Sequence, residues 1–174
     1  NSLYLNFENA EWIFNKEKVK DKNLSSIASF VSDEVFSLTP IVHNELIVRD
    51  RMSAMSVSGS VSLLKLIFNN SEQKNLGMTG HPSEYGVYLS LIKRNNLHIK
   101  NDDGYEFSIK KSKNTSLKII HDEFLKLIKG SKEAVNLSEI YGHFIKQPYG
   151  IKLGLLPLLI GLFFKANESS CALY

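Results

Sequence analysis

Apolar residues recur along this chain mostly at helical spacings, with a few short stretches that alternate by two. Leu3, Leu5 and Phe7 alternate with Tyr4 and Asn6, which predicts a short strand. Trp12-Ile13-Phe14 and Lys18-Val19-Lys20 flank the polar Asn15-Lys16-Glu17, which predicts a small hairpin. Ile27, Val31, Val35 and Leu38 step by three and four and predict an amphipathic helix. Thr39-Pro40 ends it and also signals a new start. Thr39 suits an N-cap, and Pro40 suits the first helical position, where a missing N–H is no loss. A second helix is therefore expected through Glu45-Leu46-Ile47-Val48 to Arg49. Val57, Val61, Leu64 and Phe68 make the stripe of a third helix over Ser53–Phe68, although five serines and Gly59 lower its propensity.

The most legible stretch follows. Pro82 opens a helix carrying Tyr85, Tyr88, Leu89 and Ile92, and Asn95-Asn96 ends it. Leu97–Lys100 and Tyr105–Ile109 then alternate on either side of Asn101-Asp102-Asp103-Gly104, where Asp-Gly supplies the positive φ of a hairpin turn. Helices followed by a hairpin is the order of a winged helix, in which the helix before the hairpin often enters the DNA major groove. The theme recurs downstream. Leu117, Ile120, Phe124 and Leu127 stripe a helix over Thr115–Lys129, Ala134–Leu137 suggests a short strand, and Ser138 suits the cap of a helix with Ile140, Tyr141 and Phe144. A helix over Lys152–Lys165 and a strand beginning at Cys171-Ala172-Leu173-Tyr174 close the pattern. The expected class is mainly α with small β-hairpins (α+β). It consists of an N-terminal hairpin extension (1–23) and two tandem winged-helix-like units (24–113 and 114–174), the second truncated in its wing.

Composition changes this picture little. The hydrophobic fraction of 43% suffices for a packed core, and the net charge of +3 is too small to demand a polyanion. Its distribution says more: residues 61–130 hold 11 Lys/Arg against 7 Asp/Glu, while residues 1–60 hold 6 against 8. The longest apolar run, Leu153–Phe164, spans 12 residues, short of the ~20 a membrane crossing needs, and is expected to be a buried helix. The single Cys171 rules out an internal disulfide framework. With no basic, apolar leader at the start, a cytoplasmic setting is expected.

Recognisable chemistries are missing from the sequence. Gly77 and Gly80 lead to His81-Pro82, not to the Lys-Ser/Thr of a phosphate-binding loop. His43, His81, His98, His121 and His143 never fall at helical metal-ligand spacing. Counting Gly104 as the sixth position of a calcium loop puts Ile99 first and Lys110 twelfth, both wrong ligands. Glu106-Phe107-Ser108 has Ser where a metal-dependent nuclease needs Lys. Cys171 reads as a small apolar filler. No catalytic residue, metal or cofactor is expected. What remains is a basic surface around the end of the helix that Pro82 opens and around the hairpin. It comprises Lys93, Arg94, Lys100, Lys110, Lys111 and Lys113, with Lys118 nearby and Asp102, Asp103 and Glu106 opposing.

Two segments carry a resemblance. Thr39-Pro40-Ile41-Val42-His43-Asn44-Glu45-Leu46-Ile47-Val48-Arg49 looks like a segment in the C-terminal part of large bacterial P-loop ATPases of mobile-element and phage-defence gene clusters. Pro148-Tyr149-Gly150-Ile151-Lys152-Leu153-Gly154-Leu155-Leu156-Pro157, followed by Ala172-Leu173-Tyr174, is similar to a second segment of those proteins. The likeness covers roughly Leu24–Tyr174, and the serine-rich helix after Arg51 departs from it. It implies a helical region downstream of an NTPase domain and transfers no catalytic residue. The leading expectation is a non-catalytic interaction or scaffold module whose partner is the remainder of a parent chain. The alternatives are duplex DNA binding through the basic hairpin region and an unrecognised hydrolase.

Overall fold

The structure, a computed structural model, describes residues 11–19, 23–131 and 133–171. Among them the fold is mixed α+β, with six helices and two two-stranded antiparallel sheets. The expected strand at Leu3–Phe7 and the end of the expected strand at Ala172–Tyr174 lie outside the described residues. Contacts divide the chain into two compact units, Asn1–Ser37 and Leu38–Tyr174.

The first unit holds the small hairpin, β1 (Ile13–Phe14) and β2 (Glu17–Lys18). Asn15 and Lys16 turn it with φ of 50° and 68°, the left-handed pair that matches strand twist. Helix α1 (Leu24–Val35) follows, capped by the Asn23 side chain, which accepts from the Ser25 amide. Phe14 meets Phe30 edge-on at 6.1 Å. The helix predicted to begin the unit 24–113 thus groups with the hairpin instead.

In the second unit, the helix expected to open at Pro40 and run to Arg49 is a single turn at Glu45–Ile47. Asn44 holds it, accepting from the Ile47 and Val48 amides. It stops there because the next backbone groups are taken by tertiary bonds. Arg49 O accepts from Gly154 N at 3.0 Å, and the Asp50 carboxylate accepts from Leu153 N and pairs with Lys152 at 2.9 Å. Thr39 is not an N-cap either: its hydroxyl donates to Tyr149 O, beside the bond from Leu38 N to Pro148 O. The two segments that carry the resemblance therefore lie clasped together.

Helix α2 (Ala54–Asn69) begins at Ser53, whose hydroxyl accepts from the Ser56 amide. Its face differs from the predicted one. Gly59, Ser60, Leu63 and Ile67 are buried, while Val57, Val61 and Phe68 are exposed. Small residues lie on this face. Gly59 looks toward the start of the next helix, with Ser83 Oγ at an ordinary contact distance of 3.7 Å from where a Cβ would stand. A Cβ on Gly161 would lie 2.5 Å from Leu64 Cδ2, so the last helix packs tightly on α2.

Helix α3 (Ser83–Val87) continues as a π-helical stretch, Tyr88–Lys93, with Arg94 N bonding back five residues to Leu89 O. Strands β3 (His98–Lys100) and β4 (Tyr105–Phe107) form the expected hairpin, in register His98↔Phe107, Ile99↔Glu106 and Lys100↔Tyr105. Helix α4 (Thr115–Gly130) is capped by Asn114, and α5 (Leu137–Ile145) by Asn136 rather than Ser138. The strand expected over Ala134–Leu137 does not form: Asn136 is the N-cap of α5 and Leu137 is already its first residue. Helix α6 (Leu156–Ala166) starts with Pro157 in its first turn and buries eight residues, the enclosed helix its composition predicts. Phe124 of α4 packs on Phe163 and Phe164 at 5.4 and 5.2 Å.

One hydrophobic cluster runs from Val42 to Phe164 through this unit. The boundary expected between residues 113 and 114 falls inside it. Lys113 N donates to Asn95 O, and the Asn114 side-chain amide donates to Ile41 O at 3.2 Å.

Candidate functional site

The basic residues sit where α3 ends and where the hairpin hands over to α4. Two adjacent asparagines build the place. Asn96 takes a left-handed φ of 55° and turns the chain out of α3, and its side chain donates to Lys111 O at 3.1 Å. Asn95 is buried. Its side chain donates to Leu91 O at 2.8 Å, and its carbonyl accepts from Lys113 N and Ser112 Oγ at 3.1 Å each. Asn114 then reaches back to Asn95 Oδ1 at 3.4 Å while capping α4. Segment 93–96 is thereby fastened to segment 111–114.

This fastening sets the backbone that carries Lys93 and Arg94 beside the backbone that carries Lys111 and Lys113, and all four side chains are exposed. Of these four, only Lys111 has an acidic partner within 4 Å among the described residues, Glu106 at 3.9 Å. That distance is a loose surface pair worth little in water. Lys100 does not join the group: it pairs across the hairpin with Tyr105, on the face opposite Glu106. Lys110 lies near α4, where its charge opposes protonation of His121. Lys118 is half-buried on α4. Asp102 and Asp103 are exposed in the hairpin loop.

The hairpin is held by a buried histidine. His98 Nε2 faces Ser71 O at 2.7 Å; a carbonyl only accepts, so Nε2 carries the proton. Nδ1 is then free to accept from the Tyr88 hydroxyl at 3.1 Å. Burial pushes His98 below the usual imidazole range, against the smaller pull of the Ser71 bond. Burial also pushes the Tyr88 hydroxyl up to about 12, helped by Tyr85 and Tyr105. A further bond, Tyr105 N to Glu72 O, ties β4 to the same loop.

Elsewhere, titratable groups pair without assembling a reaction centre. His121 is buried beside Phe163. Asn167 donates to its Nε2 at 2.8 Å, and burial holds it neutral against the nearby Asp122. His143 Nε2 lies 3.5 Å from Glu123, whose other oxygen meets Lys126 at 3.4 Å. Among the described residues no three His, Cys, Asp or Glu side chains converge as a metal site, and no Asp or Glu is buried. Cys171 packs against the core. Among the described residues no helix is long and apolar enough to cross a membrane. Sequence reasoning found the cations but not Asn95, Asn96 and Asn114, which arrange them. The available signal was the Asn-Asn pair at a helix end, where asparagine tolerates the left-handed turn. Comparison with protein families, curated proteins and solved structures found no match.

Proposed function

We propose that this chain is a non-catalytic interaction module of a larger cytoplasmic protein, placed downstream of an NTPase domain, and that it engages a polyanionic partner through its basic face. One observation carries the polyanion role: Asn95 and Asn96 fasten side by side the two backbone segments that carry four exposed cations, with one weak acidic neighbour within 4 Å. Cations held on a fixed backbone attract an anionic chain without first having to be ordered. The order α2, α3, β3–β4 hairpin supports a winged-helix-like arrangement within the Leu38–Tyr174 unit, with α4, α5 and α6 packed on the same core. The place beside an NTPase domain rests on the two resembling segments, which the clasp of Arg49 and Asp50 on Leu153 and Gly154 brings together.

Fluorescence anisotropy with labelled heparin tests the polyanion role. Saturable binding is expected at low salt, and it should vanish in the Lys93, Arg94, Lys111 and Lys113→Glu variant. Equal binding by both proteins would overturn it. The flanking reading frame tests the parent: a Gly-x4-Gly-Lys-Ser/Thr motif upstream is expected, and a flanking frame without one removes the NTPase assignment.

A further inference from the structure

We infer, building on the polyanion role proposed above, that the ligand of the basic face is the phosphate backbone of duplex nucleic acid, bound without regard to sequence. Three observations separate this ligand from an acidic peptide and from a base-reading mode.

The first is the kind of cation. Three of the four grouped side chains are lysines. Lysine is a strongly hydrated point charge on a flexible stem, and it is depleted at protein–protein interfaces, where aromatic and arginine anchors carry the energy. Phosphate contacts suit it, because they need charge and reach rather than a desolvated pocket.

The second is what α3 lacks. Over α3 and its π-helical continuation the exposed positions are Ser83, Gly86, Leu89 and Lys93, followed by Arg94. Gly86 and Leu89 have no group for a base edge, and no Asn or Gln stands there to pair with adenine. The cations gather at the C-terminal end of the Ser83–Lys93 helical stretch, at Lys93–Arg94, and in the turn before α4, away from the exposed positions nearer its start.

The third is how the face is bounded. Asp102 and Asp103 are exposed in the hairpin loop and repel phosphate there. Lys100 faces away from Glu106 and Lys111, and Lys110 lies near His121. The footprint is therefore the four grouped cations. Four phosphate contacts predict a slope of log K against log salt of about −3.6 on a duplex and about −2.8 on a single strand. On the duplex that is about a 150-fold loss of affinity between 50 and 200 mM salt.

The full chain, titrated by anisotropy against two unrelated 25-base-pair duplexes, a single strand of the same length and labelled polyglutamate, tests this. Equal affinity for the two duplexes is expected, with the duplex slope above and no binding to polyglutamate. The Lys93, Arg94, Lys111 and Lys113→Glu protein should lose duplex binding. A protein with Lys65, Lys126, Lys129 and Lys146→Glu carries the same charge change elsewhere and should keep most of it. Circular dichroism of both variants confirms that they are folded. Polyglutamate bound more tightly than duplex would overturn the duplex assignment while leaving the polyanion role standing. No binding to duplex, polyglutamate or heparin would overturn both. A salt-independent slope, a marked preference for one duplex, or equal losses in the two variants would overturn the inference.

Discussion

Replacing Gly154 with alanine should destabilise the second unit more than its single added methyl suggests. A Cβ at this position would stand 2.6 Å from Ile47 O, 2.9 Å from Arg49 O and 2.8 Å from Met52 Cγ. Two of these neighbours are backbone carbonyls of a segment pinned at both ends, so neither can swing aside as a side-chain tip would. Relief requires the 47–50 segment to part from the 153–154 segment. That stretches the bond from Gly154 N to Arg49 O, a loss of about 1 kcal/mol. The forced displacement of packed neighbours adds about 1–3 kcal/mol. A total of about 2–4 kcal/mol would lower the melting temperature of a unit this size by roughly 10 °C. Two other glycines calibrate the value. Gly142 lies inside α5 with nothing within 4 Å of its added Cβ, so alanine there should stabilise by about 0.5–1 kcal/mol. At Gly161 the obstruction is the movable end of Leu64, so the cost should fall between the two. Urea unfolding followed by circular dichroism at 222 nm measures all three. The single Trp12 belongs to the first unit, so its fluorescence serves as an internal control. If Gly154→Ala unfolds within about 0.5 kcal/mol of the parent protein, or above Gly142→Ala, the clasp does not have this geometry.

Three further outcomes follow from the packing and the histidines. Leu63→Ala should cost about 2–4 kcal/mol and Val61→Ala less than about 0.5, since Leu63 is fully buried and Val61 is 46% exposed; equal costs in chemical denaturation would contradict the orientation of α2. His98 and His121 are held below the ordinary imidazole value, so stability should be level above about pH 6.5 and fall as the pH drops below it, because the unfolded chain takes up protons first; each contributes at most about 1.4 kcal/mol per pH unit, and melting curves of His98→Gln should show a shallower decline. Asn96→Ala removes the bond to Lys111 O and should weaken heparin binding severalfold while leaving the number of cations unchanged; an unaltered anisotropy curve would show that the fastening does not shape the face.

The helices and the hairpin were legible because their periodicity is strong. The β3–β4 hairpin and the buried α6 follow from the alternation on either side of Asp103-Gly104 and from the apolar run before Lys165, although the register pairs Ile99 with Glu106 and puts His98 on the buried face beside Phe107. What escaped was decided by partners distant in sequence. Thr39-Pro40 carries a helix start signal, yet Thr39 bonds to Tyr149, over a hundred residues away, and the turn at Glu45 ends because Arg49 and Asp50 serve Gly154 and Leu153. On α2 the valine stripe outweighed the small residues in a hydrophobicity reading. In the fold, Gly59 and Ser60 lie on the inner face with Leu63 and Ile67, and Ser60 is buried with no hydrogen-bond partner for its hydroxyl. The cations of the candidate site are visible as letters. Their grouping is not, because it depends on side-chain amides crossing between segments 15 to 19 residues apart.

Those amides also make the basic face inseparable from the core beneath it. Asn114 caps α4, reaches Asn95 beside the cations and holds Ile41 at the start of the clasped segment. Asn95 in turn is anchored to Leu91, a fully buried residue. A polyanion that draws Lys93, Arg94, Lys111 and Lys113 toward itself therefore pulls on α3, α4 and the 38–50 segment together. Binding to the folded face stabilises the unit by mass action, and fraying at the start of α4 weakens the face by spreading its charges. The basic surface is in this sense a property of how the unit packs rather than of its lysine content. The same four cations on a loose loop would carry the same charge, but they would have to be ordered before meeting a phosphate.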